Sequence, residues 1–297
     1  MEKIEKKRKL YKIIQYVGMG IIVAVGMFTI FWFGFKETSD QSTSYSMTIL
    51  MATMLAFFLY MVIGVIPMQN KLLKLIIVES IEGLGSEVTF NKKKGYSREA
   101  FERLHYAPEN FTQYGNTDYF SFKVNDTVVE SVTVKAYDEV KVPKVKGKKG
   151  SKAKKETILH FFGRIYIIPF KSNCKFNVIG KKHPSVSRRK QMIDTPYNKE
   201  VLLKFRKYSD NFEVYYKDEK PEDLLPILER LYSLKLQAKG PISLFVRKNT
   251  AVLLIDNGRC YEDVELKKPI DPNLVKGYRR DVSMVVTFIN SVNKINL

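Results

Sequence analysis

The apolar positions of this chain fall into three regimes. From Ile13 to Phe35 (IIQYVGMGIIVAVGMFTIFWFGF) 23 residues carry no charge, and from Met47 to Pro67 (MTILMATMLAFFLYMVIGVIP) 21 more carry none. At about 1.5 Å per residue, either run as a helix is long enough to cross a hydrocarbon core of about 30 Å. Core helices of soluble proteins rarely run so long without a charge. A secretory signal does not account for the first run, which exceeds a typical apolar signal region and has no small-x-small cleavage site after it. The pattern predicts a transmembrane helical hairpin over residues 1–68, with spans at about 13–35 and 47–67.

Beyond Pro67 the spacing is that of a single helix face, with Leu72, Leu75, Ile76, Ile81 and Leu84 apolar, and it ends near Gly83 or Gly85. Ser97 is placed to cap a short helix reaching Leu104. From Tyr119 the pattern alternates. Tyr119–Val124, the turn signal Asn125-Asp126 and Val128–Val134 predict a hairpin, followed by strands at Ile158–Ile168 and Cys174–Ile179. Strands are also predicted at Val201–Tyr208 and Phe212–Tyr216, around a Ser209-Asp210-Asn211 turn. Pro221 opens a helical segment with the apolar stripe Leu224, Leu225, Leu228, Leu231 and Leu234, although Pro226 can move its start later. Ile242–Val246 and Ala251–Ile255 form a further hairpin, with a turn at Asp256-Asn257-Gly258, and an amphipathic helix spans Pro272–Asn293. The fold class is α+β: the two-helix hairpin, then a domain over 69–297 of antiparallel β-sheet with flanking helices.

Charge sets the expected orientation. The chain has 50 Lys plus Arg against 31 Asp plus Glu, a net charge of +19. Met1–Lys12 holds six cations and two acids, whereas the connecting loop Lys36–Ser46 is nearly neutral, and Lys71, Lys74 and Lys92–Lys94 follow the second run. The positive-inside rule puts both termini in the cytoplasm of a cell membrane, with the loop outside. Trp32 and Tyr45 fall near the outer interface, and Tyr11 and Tyr16 near the inner one. Small residues four apart, Gly20 and Ala24 on one run and Ala52 and Ala56 on the other, offer close helix packing within the hairpin or in a homo-oligomer. Neither run holds an ionisable side chain, which argues against an ion or proton path through the hairpin. The usage of Lys, Ile, Asn, Tyr and Phe, with one Trp, is that of an AT-rich bacterial genome.

Between two strand patterns lies Lys141–Lys155 (KVPKVKGKKGSKAKK), eight lysines and no acid. Such a segment cannot bury itself and is expected to be a disordered loop. It reads as a solvated connector, or as a polybasic arm on anionic lipid through Lys144, Lys146, Lys148, Lys149, Lys152, Lys154 and Lys155. Nucleic acid is a less favoured partner, because no aromatic residues are interleaved to stack on bases. Lys181, Lys182, Arg188, Arg189 and Lys190 could extend either footprint.

Chemistry-bearing motifs are sparse. His105, His160 and His183 stand apart from one another and from Cys174 and Cys260, so no zinc spacing exists, and both cysteines read as buried free thiols within strand-like runs, with a single bridge between them as the alternative. No nucleophile elbow appears, and Gly147–Lys152 lacks the residue order of a phosphate-binding loop. No catalytic residue, cofactor or metal is assigned. The runs Phe161–Phe170 (FFGRIYIIPF), Phe176–Gly180 (FNVIG), Phe212–Asp218 (FEVYYKD) and Ile242–Asn257 (ISLFVRKNTAVLLIDN), behind two spans, resemble the bacterial membrane-protein family known as the domain of unknown function 3137 family. That resemblance covers nearly the whole chain and implies a two-span protein with a cytoplasmic α+β domain. It brings no catalytic residue. The leading expectation is a membrane-anchored, non-enzymatic scaffold or interaction protein, with an unknown protein partner. A membrane-tethered enzyme or ligand-binding domain, and a nucleic-acid tether, are the alternatives.

Overall fold

A computed structural model describes residues 2–34, 41–91, 94–108, 111–142, 154–183, 185, 187–258 and 268–292. The chain is α+β and divides into two compact units. The first holds the chain through Ser80 and the described residues 268–277; the second holds Ile81 onward and the C-terminal helix from Tyr278.

In the first unit, helix α1 (Glu2–Gly34) and helix α2 (Gln41–Tyr60) lie side by side. The stretches Glu2–Trp32 and Thr48–Ile81 have mean hydropathies of 2.0 and 2.5, and both are long and apolar enough to cross a membrane. Their apolar side chains point outward: Met27 is 68% and Ile63 71% exposed, and Ile21, Phe28, Phe31 and Phe58 are exposed too. A soluble core helix would bury these residues. Close approach falls on a different face from the one expected. An added Cβ at Gly18 would stand 2.4 Å from the Tyr60 ring and one at Gly26 2.8 Å from Thr53, whereas Gly20 has nothing within 4 Å and Ala24, Ala52 and Ala56 are exposed. The Tyr60 hydroxyl donates to the Ile14 carbonyl at 2.9 Å, tying the helices where Gly18 makes room.

The second helix does not stop at Pro67. A π-helical turn (Met61–Val65) joins α2 directly to α3 (Ile66–Ile81), and Ile66 N–H reaches back five residues to the Met61 carbonyl. Pro67 follows and has no N–H to give, so the register slip and the proline fall on neighbouring positions. Helix α3 buries Leu72, Leu73, Ile76 and Ile77. It closes at Gly83, whose φ of +75° suits a residue without a Cβ, with Leu84 N–H on the Ile81 carbonyl at 2.8 Å.

The second unit is built on nine antiparallel strands: β1 (Ser86–Phe90), β2 (Gln113–Val124), β3 (Thr127–Val142), β4 (Lys154–Pro169), β5 (Phe176–Gly180), β6 (Lys199–Val201), β7 (Phe212–Tyr216), β8 (Ile242–Val246) and β9 (Thr250–Ile255). Their order across the open sheet is β1-β2-β3-β4-β9-β8-β5-β7-β6. Short helices α4 (Arg98–Glu102), α5 (Arg189–Met192) and α6 (Arg206–Ser209), and the longer α7 (Leu225–Ala238) and α8 (Pro272–Val292), flank it. Ser97 caps α4 as expected, accepting the Ala100 N–H at 3.1 Å. Gly163 lets β9 end against β4, since a Cβ there would fall 1.9 Å from the Ile255 carbonyl oxygen.

Strand alternation divides the core between two faces. On one, Val132, Val134, Ile165, Ile179, Tyr215, Phe245 and Leu254 pack with Phe101, Tyr106, Phe111, Met192 and Tyr197 from the loops and short helices. On the other, Leu244, Val246, Val178 and Val214 are buried, α7 packs over β8, and Ile227, Leu228, Leu231 and Leu234 form its inner stripe. Leu225 faces outward, and the helix begins there, four residues beyond Pro221, with Pro226 in its first turn. From Tyr278 on, α8 buries Val282, Val285, Phe288 and Ile289.

Three local expectations change. The run Val201–Tyr208 is a strand only at Val201; a turn and α6 follow, because Leu202 and Phe205 have no core side to face. Cys174 lies in the bend before β5, where the Ser172 hydroxyl accepts its N–H at 3.1 Å, and Cys260 is outside the described residues. Strands β3 and β4 run into the lysine segment, pairing Lys141 with Lys155 and Val142 with Lys154.

Candidate functional site

Strands β3 and β4 form a long ribbon, and the lysine segment is its connection. Lys154 and Lys155 begin β4 at its tip, whereas Lys144, Lys146, Lys148, Lys149 and Lys152 lie outside the described residues. Lower on the ribbon, His160 Nε2 and Asp138 Oδ2 meet at 2.7 Å across the two strands. That contact, and after it the Thr112 N–H, hold the Asp138 carboxyl below the ordinary carboxylate range. Val140 and Ile158 share the same ribbon face and are exposed.

The second basic cluster is partly engaged with the fold: Lys181 and Arg188 are half-buried, whereas Lys182, Arg189 and Lys190 are exposed. Lys181 approaches Glu213 at 3.6 Å, Lys182 pairs with Asp256 at 3.2 Å and Arg189 with Glu200 at 3.7 Å. Arg188 donates through its guanidinium to the Tyr106 carbonyl, lies 4.6 Å over that ring, and donates its backbone N–H to Glu213 at 2.8 Å. Sequence reasoning read these residues as a surface because their acidic partners are distant in the chain. Lys182 also donates to the carbonyl of His160 on β4 at 3.3 Å.

Two buried carboxylates anchor this network. Asp256 accepts from the Tyr106 hydroxyl at 2.9 Å and from the Phe162 N–H at 3.1 Å. Glu213 accepts from the Tyr215 hydroxyl at 2.7 Å. Burial, with Asp256 beside it, pushes the Tyr106 phenol well above its usual value, and burial with Glu213 does the same to Tyr215. Both phenols therefore stay protonated at neutral pH and act as donors to carboxylates. The arrangement fastens Lys181, Lys182, Arg188 and the loop around Tyr106 to the sheet.

Other buried polar groups are structural in the same sense. Arg164 donates to the Ser131 hydroxyl at 3.0 Å and lies within 5.2 Å of the Phe120 and Tyr278 ring centres. Arg247 donates to Asn177 Oδ1 at 2.8 Å and stacks 4.4 Å over Tyr197, while burial lowers its affinity for the proton. Among the described residues no three His, Cys, Asp or Glu side chains gather as a metal ion requires. The outward apolar surface of α1 and α2 is thus the feature most clearly made for an environment other than the fold itself. Comparison with family models, with curated proteins and with solved structures finds no match to this chain.

Proposed function

We propose that this is a protein anchored in a bacterial cell membrane by α1 and α2–α3, with both termini cytoplasmic, whose sheet domain is a non-enzymatic interaction module beside anionic lipid. The observation that carries this reading is the outward apolar surface of both long helices, which a bilayer covers at no cost and water does not. Six cations among the first twelve residues, and those after the second helix, support the orientation. The resemblance to the domain of unknown function 3137 family rests on residues of β4, β5, β7, β8 and β9 and adds no activity.

The lysine segment is the proposed polyanion contact. Each lysine near an anionic surface contributes about 1 kcal/mol, and the effect decays within a Debye length. The test is a spin label on Ser151→Cys, in a Cys174→Ser, Cys260→Ser background, with the full chain reconstituted in vesicles. Contact with head groups is expected when phosphatidylglycerol is present and is lost at high salt. A label equally mobile over neutral and anionic lipid would remove the lipid part of the proposal. Release of the chain from membranes by alkaline carbonate would remove the anchor.

A further inference from the structure

Strand β6 ends at Val201, and the chain then turns its apolar side chains out of the sheet domain. Leu202 is 84% exposed and Phe205 60%. The Phe205 ring stands edge-on to Tyr208 at 6.2 Å, and Tyr208 edge-on to Tyr232 of α7 at 6.3 Å. One helical turn past Tyr232 comes Leu236, 64% exposed. Exposed apolar side chains therefore lie on the 202–205 turn and on the outer side of α7, with the buried Tyr208 ring and the half-buried Tyr232 ring packed between them.

Cations border these side chains and are interleaved with them. The six residues Leu202–Lys207 (LLKFRK) contain three cations and no acid. The Lys207 ammonium lies 4.7 Å over the Tyr232 ring and 5.2 Å over Tyr208, and the Arg206 side chain is 92% exposed while approaching Asp210 at 3.3 Å. Lysine is depleted from protein interfaces, and two of the three cations here are lysines. Leucine and phenylalanine set between lysine and arginine, beside tyrosines, match instead the boundary between head groups and acyl chains, where rings sit with cations at phosphate level. Tethering a domain to a bilayer keeps such side chains at high effective concentration of that surface.

We propose that these side chains form a second, peripheral membrane contact: Leu202 and Phe205 seat below the head groups of anionic lipid, with Lys204, Arg206 and Lys207 on the phosphates. The proposal rests on the anchoring reading, and one experiment separates the two. The full chain is reconstituted in phosphatidylcholine–phosphatidylglycerol vesicles containing lipid brominated near the top of the acyl chain. In one sample the native Trp32 of α1 is the only indole; in the other, Trp32→Phe is combined with Phe205→Trp.

Bromolipid is expected to quench both samples, the second by about twofold or more, and the second quench is expected to fall away in neutral lipid or with Lys204→Glu and Arg206→Glu. Quenching of Trp32 without quenching at position 205 overturns this proposal and leaves the anchor standing. An indole at position 205 that is blue-shifted but unquenched, in vesicles and detergent alike, overturns it in favour of a protein partner. Quenching in neither sample overturns both readings.

Discussion

Asp256 holds three groups together: the Tyr106 hydroxyl, the Phe162 N–H and the Lys182 ammonium. Removing its carboxylate leaves a backbone donor and a phenol buried without an acceptor, at about 1–3 kcal/mol for each group. Asp256→Ala is therefore expected to lower stability by roughly 3 kcal/mol in a denaturant titration of the detergent-solubilised chain. Asp256→Asn keeps an acceptor and should lose about 1 kcal/mol. Asp138 offers the pH-dependent counterpart. Its carboxyl is depressed first by His160 and then by Thr112 N–H, so its stabilising contribution is fully present above the unfolded value of about 3.9. That contribution disappears as pH falls through the lower folded value. Thermal melts between pH 6 and pH 3 should show an acid-induced loss in the native chain that is smaller in Asp138→Asn. Neither partnership was legible in the sequence: Tyr106 and Asp256 are 150 residues apart, and no local spacing links them.

Elements with a strong period were legible. The two long apolar helices, the Asn125-Asp126 hairpin, the Ser97 cap and the closing amphipathic helix follow from residues close together in the chain. What failed was choice among equivalent local patterns. Small residues recur along α1, and Gly20 and Gly18 are equally small; only the position of Tyr60 decides which one faces α2. Gly18→Ala must displace the Tyr60 ring and its bond to the Ile14 carbonyl, so it is expected to lower helix-hairpin stability by about 1 kcal/mol. Gly20→Ala should be neutral, and thermal unfolding in detergent distinguishes them; equal losses would put the contact on the expected face. The Val201–Tyr208 run misled for a related reason. Its β-compatible residues promised a strand, but β6 is the sheet edge, paired on one side only, and its pairing ends at Val201.

At the scale of the molecule, composition was more informative about surroundings than about architecture. The net charge of +19 pointed to a polyanion, yet Lys181, Lys182 and Arg188 engage carboxylates and a carbonyl of the fold, so that cluster offers a partner less than its count of cations suggested. The sheet order was beyond local reasoning altogether. Strand β4 does not pair with β5, its successor, but with β9, and β5 sits between β7 and β8. Pairings of this kind are selected by burial of the whole face.

That order has a consequence for how the protein is made. As the chain leaves the ribosome, β1 to β4 can zip together at once, each beside its predecessor. The outer edge of β4, Arg164 to Pro169, then waits for the last strand to be synthesised. Throughout that interval Ile165, Ile167 and their backbone groups form an unprotected β edge on a nascent chain, the state most prone to mispair with a neighbour on the same messenger. Completion of the sheet is thus a late event set by β9. Slower translation between Phe170 and Thr250 is accordingly expected to lower the yield of folded chain.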